Sequence, residues 1–446
     1  MNVPQLRVHA MALLHSMNSA QSSLRAHQRR LAVIADNIAN VNTIGYKASR
    51  ALFAEALALR FGLGSAPGIE VGGTNPLQIG SGVRFAAVVR DLSQGTLTYT
   101  GRPLDVALQG EGFFVVRAQG QMYFTRAGSF ALDAAGNLVE SASGALVQGY
   151  VVQTAGGRIV RDASGRAVLS RQLGTIQIPP GLQSPPQQTE RVRLSGNLST
   201  SLAEGESVAV SAVIYDVRGG THVLRLEFRK TATPNEFELS VTLDGSAVNL
   251  PAGASPVQFA ADGTLNSPLT IALAGSELNA ALGGAELFDA TKSVTVELSS
   301  ASNPLAGLTH FAGQSTVQVV EQDGYAAGEL LGVSVDAAGR LIGSFSNGRS
   351  EVLAQLVVAK FPNPEGLLRQ GEHLFALSPS SGAPIFGTAG ESFPSVQVVG
   401  GALEESNVDL TEEFSDLIAT QRAFEAAART MSVSDQMLVE LLALRR

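Results

Sequence analysis

The chain has 446 residues, 16 % of them charged, and a formal net charge of −8 at pH 7. That length allows about three domains with ample core. The acidic balance, with lysine only at Lys47, Lys230, Lys292 and Lys360, excludes a nucleic-acid surface, which needs clustered cations.

No cysteine occurs, which removes disulfides and thiolate metal sites and suits a chain that crosses a narrow channel unfolded. The apolar run "VLAQLVVAKF" at 352–361 is far shorter than the ~20 residues that span a bilayer, so no membrane insertion is expected. The opening "MNVPQLRVHAMALLHSM" lacks the layout of a cleaved secretory signal, and both Met1 and Met11 fit as starts.

The first element is a heptad helix. Met17, Leu24, Leu31 and Ile38 recur every seven residues, with Leu13, Ala20, His27, Ile34 and Val41 as the second series. A helix over 10–42 is about 50 Å long at 1.5 Å per residue, and nothing nearby supplies a partner for so narrow a stripe. His27 reads as a partly exposed seam position. Asn37, Asn40, Gly45, Tyr46 and Lys47 mark the helix end, where such residues either satisfy loose backbone groups or make contacts of their own.

The Gly-rich 61–82 reads as a linker into a β region. "FALDAAGNLV" (130–139) and "VSVDAAGRLI" (333–342) are one Asp-initiated hairpin turn used twice. A second linker, "IPPGLQSPPQQTE" (178–190), leads to strands of strict period two. Leu224, Leu226 and Phe228 share one face, as do Phe237, Leu239, Val241 and Leu243, with turns at Gly219–Gly220 and Asp244–Gly245. "SSASNPLAG" (299–307) reads as the return.

The last element is again heptad. Its series are Leu410, Leu417, Phe424, Met431 and Leu438, with Phe414, Gln421, Ala428, Asp435 and Leu442 as companions. Asn407 or Asp409 caps the start, and Glu412 and Glu413 suit the first turn. Glu404–Glu405 and Glu412–Glu413 read as dipole-facing or solvated charge. The expected fold is α+β and mainly β: an antiparallel β core domain, an inserted β-barrel-like domain, and long coiled-coil helices at both termini. The boundaries expected are 1–70 for the N-terminal helix and linker, 71–150 with 320–400 for a discontinuous core, 151–319 for the insert, and 401–446 for the C-terminal helix.

Nothing in the motifs requires chemistry. The six histidines form no His-Glu-x-x-His frame, and "GSFSNG" is not a nucleophile elbow. "GEG" at 110–112 precedes a strand rather than a helix, so it is no dinucleotide loop. No enzyme, cofactor or metal is expected.

Four stretches carry a resemblance. "RLAVIADNIANVNTIGYK" resembles the N-terminal signature of the bacterial flagellar rod and hook axial proteins, and "GALEESNVDLTEEF", with Ser406, Asn407, Val408 and Asp409, resembles their C-terminal signature. "TGRPLDVALQGEGFFVV" resembles their shared core segment, while "VIYDVRGGTHVLRLEF" is similar to the inserted β domain of the hook members. The resemblance implies a structural subunit that self-assembles into a flexible hollow tube, a universal joint that carries motor torque and lets exported subunits pass. It implies as partners further copies of the chain, rod, hook-cap and hook–filament junction proteins and the flagellar type III export apparatus, in an extracellular setting. A distal rod protein is the nearest alternative, disfavoured by the large insert. A secreted β-rich adhesin gives no reason for heptads at both ends.

Overall fold

A computed structural model describes residues 3–64, 66, 72–155, 158–160, 167–299 and 303–443. Helix α1 runs Val3–Ala39 and α3 runs Leu410–Ala443, with a short α2 at Gly275–Ala281. Everything else described is strand, turn or 3₁₀ helix, so the chain is mainly β. No helix among the described residues is long and apolar enough to cross a membrane.

After α1 the chain forms a long two-stranded arm. Ser49–Glu55 pairs antiparallel with Val83–Arg90, and Leu59–Gly62 with Leu77–Ile79. The stretch 61–82 is therefore partly hairpin rather than plain linker, though residues 65 and 67–71 of it lie outside the described residues. The arm lies along α1: Phe53 meets His27 edge-on at 5.9 Å, and the Arg29 guanidinium sits over Phe85.

The main sheet has Phe113–Ala118 near its centre, between Leu146–Val152 and Gln121–Thr125. Phe113, Phe114, Val115 and Val116 are all buried, because this strand is covered on both faces. Phe114 joins Phe130, Leu138, Ile176 and Leu356 in one core, and Phe113 joins Phe124 and Phe375 in another. The repeated turns match their sequence logic. Asp133 Oδ1 accepts from the backbone of Ala135 and Asn137, and Asp336 Oδ1 from that of Ala338 and Arg340.

The middle of the chain builds two sheets over one shared core. Ser207–Tyr215, Thr221–Lys230 and Glu236–Leu243 form a meander, and Asp244 and Gly245, with φ of 50° and 89°, turn its last strand into the short Ser246–Ala247. The second sheet is ordered Thr270–Ala274, Ser293–Glu297, Arg191–Asn197, Leu308–Thr309. Leu226, Phe228 and Val241 from the first sheet pack with Val192, Leu194 and Val296 from the second.

Two expectations change here. The barrel does not close: Ser207–Tyr215 and Leu265–Ser267 end the first sheet, and Thr264↔Thr309 is a single bridge between the two. Nor is every pair antiparallel, since Arg191–Asn197 runs parallel to both Ser293–Glu297 and Leu308–Thr309. Strand alternation is identical for either direction, and only the long crossover through the meander sets it.

Phe228 is fully buried between the two sheets. Phe228→Ala should cost about 3–5 kcal/mol, read by urea denaturation with circular dichroism. An unchanged midpoint would mean that the two sheets do not share a core.

Candidate functional site

The two ends of the chain meet. α1 and α3 pack along each other, and α1 places Met17, Leu24, Leu31 and Ile38 half-buried, with Ala20 and Ile34 buried. On α3, Leu417, Phe424, Met431 and Leu438 are half-buried, as the first heptad series expects, while Leu410 is partly exposed. Most of the companion series lies one residue off. Phe414 and Asp435 face outward with Gln421, while Ala428 is half-buried; Glu413 turns inward, Ala427 is half-buried, and Thr420 and Ser434 are buried. The side chains of Leu13 and Leu442 lie outside the described residues. Positions 413, 420, 427 and 434 carry Glu, Thr, Ala and Ser, so a search for apolar repeats passes over them. One side of the seam is thus lined by small and polar residues, and the large apolar residues of the other side are only half-buried. Ser16 and Ser434 hydrogen-bond across it at 3.1 Å, and Arg30 pairs with Asp416 at 2.6 Å.

At the upper end of this pair the Asn-rich motif works as a knot. Asn37 is buried; its Nδ2 donates to the Ser49 carbonyl and to Glu413 Oε1 at 2.7 Å, and its Oδ1 accepts from the Ser49 amide and the Tyr46 hydroxyl. Asn40 Nδ2 donates to the Asp36 carbonyl, closing the last turn of α1. The Tyr46 hydroxyl also reaches Asp36 Oδ2, where Arg369 Nη1 donates as well. Burial and the Asp36 carboxylate push Tyr46 up to about 12. Val41 is half-buried just beyond the helix. Gly45 turns the chain at φ 68° and donates to the Glu404 carbonyl; a Cβ there would stand 2.7 Å from the Ala127 amide nitrogen.

Beneath the knot lies a buried ionic cluster. Lys47, Glu404 and Arg126 are 3 %, 1 % and 4 % exposed. Lys47 Nζ donates to Glu404 Oε1 at 2.7 Å and to the Ser93 carbonyl, and the Gly95 amide donates to the same Oε1. Arg126 Nε approaches Glu404 Oε2 at 3.1 Å as an ion contact without hydrogen-bond alignment, while its Nη1 donates to the carbonyls of Gly110 and Gly112. Burial holds the Lys47 ammonium below its ordinary value, and the Glu404 carboxylate pulls it back. Glu404 was expected to be solvated; instead it ends the strand Ala402–Glu404, paired with Leu97–Tyr99. Two adjacent glutamates look alike in sequence, and strand alternation buries one and exposes the other.

The C-terminal motif completes the junction. Asn407 Oδ1 accepts from the Ala48 amide and its Nδ2 donates to the Asp91 carbonyl. Ser406 Oγ accepts from the Val408 amide, and Val408 is half-buried. Asp409 Oδ1 accepts from the Thr411 and Glu412 amides and caps α3.

Four family models match the chain. The model described as "Flagella basal body rod protein" matches residues 17–47, and "Flagellar hook protein FlgE/F/G D1 domain" matches 107–200. "Flagellar basal body protein FlaE D2 domain" matches 203–325, and "Flagellar basal body rod FlgEFG protein C-terminal" matches 399–444. Lys47, Arg126 and Glu404 thus fall in three separately matched segments. Over 97 % of its length the chain is 35 % identical to the complete flagellar hook protein FlgE of Treponema pallidum. The chain belongs to the flagellar hook protein family. The FlgE of Escherichia coli is 32 % identical over 96 % of this chain and all of its own, and that of Borreliella burgdorferi is 32 % identical over 97 % and all of its own. The crystal structure of Helicobacter pylori hook protein FlgE2 aligns with 69 % of this chain and all of its own, at 17 % identity and a TM-score of 0.45. The chain is a structural subunit of the flagellar hook, in a family of helical self-assembling polymers.

Glu404→Ala leaves two buried cations without their carboxylate and should cost about 3–5 kcal/mol in urea denaturation. Lys47→Met added to Glu404→Ala should restore part of that loss; additive losses would show that the pair is not coupled. Burial raises Glu413, with Asp416 and Glu412 adding to it and the Asn37 hydrogen bond opposing. A carboxyl raised by folding weakens stability once ionised, and that cost disappears below its unfolded pKa. Glu413→Gln should therefore melt higher than the native chain at pH 7. The gap should close as pH falls toward 4.5, the ordinary value for a glutamate. A gap constant with pH would assign the effect to packing.

Proposed function

We propose that α1 and α3 form the inner coiled-coil layer of a hollow tube and reach their full burial only when neighbouring copies surround them. The observation that carries this reading is the poverty of the seam. Ala20, Ala26 and Ile34 are the fully buried apolar residues of α1 among those described, while Phe414, Ile418, Val433, Met437 and Val439 of α3 are exposed. Such a pair offsets poorly the ordering of some sixty residues at about 1 kcal/mol or more each. Both ends are therefore disordered in the free subunit up to the ionic junction and fold on assembly. Disorder there suits threading by the type III export apparatus, and the tube's bore passes the subunits that follow.

The β core, 71–150 with 320–400, forms the middle layer and the insert at 151–319 the outer one. The tube is extracellular, joined to rod, hook-cap and hook–filament junction proteins, and has no catalytic role. As a universal joint it compresses and extends each subunit once per turn, so its outer contacts must exchange. The meander suits this: apart from Ala209 and the Val213–Val223 pair, its outward face sets Arg225, Glu227 and Arg229 beside Ser211, Ser240, Thr242 and Glu238, a field of weak, alternating polar contacts.

Electron microscopy of purified chains under polymerising conditions should show curved hollow tubes, and chains truncated from Met431 onward should show none. In the monomer, limited proteolysis should trim both ends as far as the junction and spare them in the tube. Termini resistant to protease in isolated monomers would refute folding on assembly.

A further inference from the structure

One apolar groove lies outside the ionic junction. It has a volume of about 1160 Å³ and runs between α1, α3 and the Leu59–Gly62/Leu77–Ile79 hairpin. Its walls include Leu14, Leu59, Leu77 and Ile79, all exposed, and its floor on α3 is lined by Ala423, Ala426, Ala427 and Thr430. Small side chains along one helix, walled by leucines, leave room for a bulky apolar group that none of the described residues of the subunit places there.

The same chain carries two such groups elsewhere. Phe414 and Ile418 stand one turn apart on α3 and are 49 % and 52 % exposed. They lie roughly 12–18 Å along the helix from Ala426 and about 150° around it from the groove floor, at 1.5 Å and 100° per residue. No bending of one subunit brings them into its own groove.

We propose that Phe414 and Ile418 of one copy seat in the α1–α3–hairpin groove of the next. This rests on the assembly reading above and adds its directional contact. Knob and groove are different surfaces, so the contact is heterologous, and a heterologous contact that does not close on itself propagates as an open helical array. A self-complementary patch at the same place would stop at a dimer. The apolar wall and apolar knobs also resolve the charge problem of packing copies that each carry −8, because the central contact involves no charged side chain. Burying a phenylalanine and an isoleucine contributes about 1.5–3 kcal/mol each. One such contact is weak alone and is multiplied along a polymer.

The absence of cysteine makes the test direct. Ile418→Cys chains and Ala426→Cys chains are mixed, polymerised and oxidised. A disulfide needs the two Cα atoms within about 7 Å, which residues eight apart on one helix do not meet, so any bridge between these positions joins two copies. The expected result is a covalent dimer in the polymerised mixture and none in the unpolymerised one. Phe414→Asp with Ile418→Asp should abolish tubes while leaving the β circular-dichroism signal intact. Tubes that form without the cross-link, or tubes from the double aspartate chain, overturn this contact and leave the assembly reading standing. Failure of native chains to form any tube overturns both.

Discussion

The buried Glu404 carboxylate is the constraint on which the architecture turns. It receives Lys47 from the segment after α1 and Arg126 from the main sheet, and it sits itself on the last strand before α3. Three stretches distant in the chain, two of them more than two hundred residues from the third, therefore share one charge balance. Ionic groups removed from water tolerate little misplacement, because a lost partner leaves an uncompensated charge in a low dielectric. The cluster thus fixes where both long helices leave the body, whatever the state of the helices beyond.

Above that fixed point the kind of contact changes along the helices. The Asn37 and Tyr46 knot holds the end of α1 by hydrogen bonds to backbone and side chains of both neighbouring segments. Farther along, the large apolar residues of the seam are mostly half-buried, and the fully buried positions of α3 among those described are Thr420 and Ser434. A rigid root and a weakly committed shaft suit a subunit whose helices complete their environment in a polymer.

The insert illustrates the opposite economy. Its two sheets bury Phe228, Phe237, Leu226 and Ile214 fully, so the unit owes nothing to neighbours for its core. The outward face of its meander is mostly polar and of mixed charge, apart from the exposed Val213–Val223 pair.

The sequence by itself determined the elements whose signal is local. Period-two strands at 207–243, the paired Asp-Ala-Ala-Gly turns and the long terminal helices follow from side-chain alternation, Asx hydrogen bonding and heptad spacing, all of which act within a few residues. Tertiary structure decided what depends on partners distant in the chain. Glu404 and Glu405 differ only in which face of a strand each occupies, and Thr420 and Ser434 are buried because α1 approaches them, not because they are apolar. Parallel pairing of Arg191–Asn197 and the open ends of the insert's sheets were likewise set by long crossovers, since a strand's own pattern is the same whichever neighbour it finds.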